Sequence, residues 1–153
     1  EDMLRQVKEL NMKLNPKDIV VSVMTRKDGR ALIYVYRKSR LKKELQNKET
    51  SEFLAKYGYS HLSVEKAVAR LKNRLAQSEG FPHEIGVFLG YPLGDVVGFI
   101  ENGGRNCKCV GCWKVYGDAE TARKTFRQYK KCTEVYCKEW RKGASLQQLI
   151  VAG

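Results

Sequence analysis

The sequence predicts an α+β fold (or a mixed α/β one) in a single domain spanning residues 1–153, on three observations. Two runs rich in β-branched and aromatic residues, 19–25 and 31–36, flank Asp28-Gly29, a pair suited to a type I′ hairpin. A strand–helix–strand pattern follows over residues 84–116, and a long amphipathic helix comes after it. Together they predict a small mixed sheet, made of the N-terminal β-hairpin plus a βαβ unit and covered by helices.

Taken in order, Leu4, Val7, Leu10 and Leu14 recur at helical spacing and stop before Asn15-Pro16. After the hairpin, Ser39 is placed to cap a helix carrying Leu41 and Leu45, and Ser51 a short one ending at Gly58. Ser63 caps a helix with Val64, Ala67, Val68, Leu71 and Leu75 on one face, stopped by Gly80 and Pro82. Glu84 to Leu89 is a short apolar run between breakers and reads as a buried strand. Pro92 opens a helix holding Val96, Val97, Phe99 and Ile100, and Cys109 to Tyr116 reads as a second strand. These two strands are expected to be parallel, with a right-handed crossover. Asp118 caps the final helix, which reaches about Lys142.

A chain of 153 residues is long enough to bury a core without disulfides or metal. No apolar run is long enough to span a bilayer. Five cysteines, an odd number and crowded together, do not resemble a secreted disulfide framework, so a reducing cytoplasm is the expected location. With 29 Lys+Arg against 17 Asp+Glu, the formal charge is +12, which favours anionic partners in general.

Three stretches carry a resemblance: 81–92 (FPHEIGVFLGYP), 104–117 (GRNCKCVGCWKVYG) and 129–137 (YKKCTEVYC). The chain resembles, over nearly its whole length, a family of uncharacterised proteins from anaerobic Firmicutes, known as a domain of unknown function. The resemblance implies no activity. It does imply that a native N-terminal segment, with a cysteine and small residues, precedes Glu1 and completes any site it belongs to.

Cys107, Cys109 and Cys112 lie within six residues, and Cys132 and Cys137 follow. Zinc and iron–sulfur clusters take thiolate ligands, and the C-x₂-C spacing of Cys109 and Cys112 lets two sulfurs reach one ion. Cys132 and Cys137 are five apart on one helix and project about 140° from each other, so both can serve one ion only if the helix breaks between them. In a parallel βαβ unit both strands start at the same sheet edge, which makes His83 a neighbour of Cys109. The candidate metal set is therefore Cys109, Cys112 and His83, with Cys107 or Cys132 as the fourth. A redox role is a further reading, since basic neighbours such as Arg105, Lys108 and Lys114 would activate a thiol. The pair runs into a strand rather than opening a helix, however, and loses that mechanism. Packed, inert thiols are the plain structural alternative.

On the final helix Ala122, Phe126, Tyr129, Thr133, Tyr136 and Trp140 fall on one stripe. Arg123, Lys124, Arg127, Lys130, Lys131, Lys138, Arg141 and Lys142 fall opposite. Such a cation row can track a phosphate backbone, and the basic run 37–43 adds to an anion-binding surface. With aromatics and cations on opposite faces, the expectation is that the stripe packs inward and the cations are a solvated outer surface. The loop 90–94 lacks the pattern of a dinucleotide or phosphate loop. His83-Glu84 cannot work together on a strand, where neighbours point to opposite faces.

Three functions follow from these residues. The first is a cytoplasmic metal- or cluster-binding accessory protein (zinc or iron–sulfur) using the cysteine-rich loop. The alternative is a basic module for nucleic acid or another polyanion, and the third a thiol-dependent redox protein.

Overall fold

The computed structural model describes residues 2–77 and 80–151. They form two compact units, one running up to Gly90 and one from Tyr91 to Val151. The class is α+β, mostly helical, with small antiparallel sheets and a long helix near the C-terminus.

The first unit begins with α1 (Asp2–Leu14), which ends in a 3₁₀ turn at Asn15–Lys17 where Pro16 cannot continue it. β1 (Ile19–Lys27) and β2 (Arg30–Arg37) pair antiparallel. Their turn is the expected one, with Asp28 and Gly29 both at positive φ, 51° and 73°. A register shift between Val23 and Thr25 lets Met24 bury its side chain. The Asn11 side chain accepts from the Val21 N–H at 2.8 Å and donates to its carbonyl at 2.9 Å. A helix side chain thus satisfies the free edge of β1 as a third strand would.

Helices α2 (Lys38–Gln46), α3 (Lys48–Ala55) and α4 (Val64–Gln77) follow. The start of α2 is held not by Ser39 but by Asp18, whose carboxylate accepts the Ser39 N–H. Asn47 caps α3 by accepting from the Thr50 N–H, in place of the expected Ser51. Ser63 caps α4 as expected, accepting from Lys66 N–H at 3.3 Å. Val64, Ala67, Val68 and Leu71, four apolar side chains on one face of α4, are buried, as that spacing requires.

The segment expected as a buried strand is a helix, α5 (Ile85–Phe88), so among the described residues no βαβ unit and no mixed sheet form. A short apolar run has no period long enough to separate strand from buried helix. The turns of α5 are closed by backbone hydrogen bonds: the Pro82 carbonyl accepts from Ile85 N–H at 3.1 Å, and the His83 and Glu84 carbonyls accept from Gly86 and Val87. Val87 and Phe88 go to the core, and the buried Tyr34 hydroxyl donates to the Phe88 carbonyl. Glu84 is buried too, ion-paired to Arg74 of α4 and accepting from the Tyr59 hydroxyl at 3.2 Å.

The second unit holds α6 (Leu93–Glu101), β3 (Cys109–Val110), β4 (Lys114–Val115), α7 (Ala119–Arg141) and α8 (Leu146–Leu149). What reads as one strand from Cys109 is a two-stranded hairpin turning at Gly111. Gly98 lies inside α6, where alanine ordinarily gains about 1 kcal/mol. A Cβ there would sit 2.5 Å from the Tyr116 Cβ. Gly98→Ala is therefore expected to destabilise, by about 2 kcal/mol through overpacking. A thermal unfolding midpoint at or above the wild-type value would show that the helix can slide away from Tyr116.

Candidate functional site

The β3–β4 hairpin carries the cysteine cluster, and a buried carboxylate holds it. Asp95, in the first turn of α6, accepts from the Trp113 indole N–H at 2.7 Å. Its other oxygen accepts the backbone N–H groups of Tyr116 at 2.8 Å and Gly117 at 2.7 Å. A negative charge at a helix N-terminus is also favoured by the helix dipole. Trp113 is sandwiched, stacked on Tyr91 at 5.0 Å between centroids and meeting Phe126 of α7 edge-on at 4.6 Å. Gly111 is required by this packing, since a Cβ would overlap the Phe126 ring at 2.2 Å.

Within this hairpin Cys107 and Cys109 are half-buried and Cys112 is exposed. Cys109 packs beside Trp113, Val115 and Ala122 in the small core. Lys108 and Lys114 donate to the backbone carbonyls of Gly117 and Gly104, both at 2.7 Å. Cys132 and Cys137 lie exposed on α7, which runs unbroken through both. His83 stands just before α5, its ring 6.0 Å from that of Phe81. The segment after His83 is α5, so among the described residues there is no parallel sheet whose edge it would share with Cys109. Among the described residues no three His, Cys, Asp or Glu side chains are grouped to hold a metal ion.

The final helix departs from expectation in a way that bears on function. Asp118 caps it as the sequence indicates, accepting from the Glu120 and Thr121 N–H groups at 3.0 and 3.2 Å. Of its aromatic stripe, only the first part is covered: Ala122 is buried and Phe126 half-buried. Beyond Phe126 the stripe does not pack inward. Tyr129, Tyr136 and Trp140 are 41%, 44% and 59% exposed. A small unit whose core is Trp113, Val115 and Ala122 reaches only the first turns of a 23-residue helix. Further along, α7 is in contact with α8, yet these three rings stay exposed.

The cations share this exposure. Lys124 pairs with Glu120 at 3.1 Å and Lys142 with Glu139 at 2.8 Å. Arg123, Arg127, Lys130, Lys131, Lys138 and Arg141 make no ion pair among the described residues. The sequence locates both rows; it does not reveal that the aromatic row lacks a cover.

The first unit has a cavity of about 520 Å³ at the start of α4, lined in part by Lys38, Lys42, Tyr59, His61 and Ser63. Its main anionic partner is internal: Glu65 pairs with Lys38 at 2.6 Å, and that contact, with its own backbone N–H, holds its carboxyl down to about 2.

Two antiparallel hairpins set among helices, with a long basic helix in the second unit, define a helix-rich α+β protein. The chain belongs to the family described as "Protein of unknown function (DUF3793)", which matches residues 2–150. No curated protein and no solved structure matches it. Among the described residues no helix is long and apolar enough to cross a membrane.

Proposed function

We propose that this chain is a basic module that binds nucleic acid along α7. The observation that carries the reading is the open cation row of that helix, in a chain of formal charge +12. Arg123, Arg127, Lys130, Lys131, Lys138 and Arg141 are exposed, and none is spent on an ion pair among the described residues. Long-range attraction to a phosphate backbone needs no pocket, only a run of like charge that releases counterions on contact.

The test is binding of a labelled oligonucleotide across a salt series. Affinity is expected to fall steeply with salt, and the slope of log K against log salt to flatten by about 0.7 to 0.9 for each phosphate contact removed. Lys130→Glu combined with Lys138→Glu removes two, while fold is unaffected because both side chains are solvent-exposed. Affinity independent of salt, or unchanged in that variant, would refute the reading.

A further inference from the structure

The exposed part of the aromatic stripe has no use in a purely electrostatic contact. We infer that α7 binds single-stranded nucleic acid, with bases stacked on Tyr129, Tyr136 and Trp140 and phosphates on the cations beside them. This rests on the polyanion reading above and adds to it the form of the nucleic acid.

Three features support it. Two of the exposed aromatics are followed directly by a cation: Lys130 after Tyr129 and Arg141 after Trp140. Successive residues are about 100° apart around a helix, so Lys130 and Arg141 both fall on the same edge of the stripe. The helix therefore offers an aromatic strip with one cationic margin, which matches a strand carrying bases on one side and phosphates on the other. The opposite margin, with Gln128, Cys132 and Glu139, carries no cation.

Next, the exposed rings are tyrosine and tryptophan, whose flat faces stack on any base, with a polar edge left to water. Duplex DNA hides its base faces and would leave the stripe wet. Single strands present them. Lastly, charge argues against a second copy of the chain covering the stripe, because that would bring two molecules of +12 and two cationic margins together.

The experiment compares four probes with the intact chain: an oligothymidylate of about a dozen nucleotides, a duplex of equal length, heparin, and phosphatidylserine vesicles. The variants are Tyr136→Ala with Trp140→Ala, and Tyr136→Phe with Trp140→Phe, all at exposed positions. The wild type is expected to favour the single strand over the duplex by about tenfold or more. The alanine pair should weaken oligothymidylate binding by about tenfold to a hundredfold and leave heparin retention unchanged, while the phenylalanine pair keeps most of the affinity. Equal affinity for single strand and duplex, with no loss in the alanine pair, overturns this inference and leaves the polyanion reading standing. Binding to vesicles but not to oligothymidylate assigns the stripe to a membrane surface and overturns it too. Failure to bind any of the four removes the polyanion reading itself.

Discussion

Asp95→Ala is expected to lower the stability of the second unit by about 4 kcal/mol, since three hydrogen bonds to a charged acceptor disappear at once. The carboxylate is 4% exposed, and its donors are the Trp113 indole and the backbone of Tyr116 and Gly117. The indole N–H is buried and is left without its acceptor, so it bears about half of the cost. Asp95→Asn separates the contributions: its amide oxygen can keep both backbone donors, while its NH₂ would face the indole N–H, donor against donor. About half the loss is expected there. Urea unfolding followed by near-UV circular dichroism, together with the Trp113 indole resonance, reads both variants. An Asp95→Ala midpoint within error of the wild type would mean that aromatic stacking alone holds the hairpin.

Glu84→Ala is the counterpart in the first unit, with an expected loss of about 3 kcal/mol. Glu84 is 1% exposed and pairs through one oxygen with both Arg74 and Tyr59, while its other oxygen has no hydrogen-bond partner among the described residues. Truncation strands the Tyr59 hydroxyl, whose ionisation burial and the Glu84 charge already oppose, as its raised pKa shows. Arg74 retains some access to water, with its side chain 27% exposed, and stacks over the Tyr57 ring at 5.4 Å, so it recovers part of its loss. Glu84→Gln keeps the shape and an acceptor but not the ion pair, and should fall between. Far-UV circular dichroism in urea measures the series, and an unchanged Glu84→Ala would show that α5 docks through Val87 and Phe88 alone.

These two carboxylates mark where reading residues in line stops. In the linear sequence Asp95 is an acid three residues after Pro92, and Glu84 is the neighbour of His83. In space each is a tie across its own unit.

Local chemistry alone determined the hairpin turn, the caps of α4 and α7, the buried face of α4 and the two rows of α7. Each depends on residues a few positions apart, where φ preference, side-chain capping and helical period act. Tertiary structure decided the rest. Whether Glu84 to Leu89 became strand or helix depended on Arg74 and Tyr59, ten and twenty-five residues away. The second strand folded back at Gly111 because Phe126 of α7 lies against it. Whether the aromatic stripe became core or open surface depended on how much partner surface the second unit could offer. A helical period shows which side chains share a face, but only the neighbours present in three dimensions determine whether that face is covered.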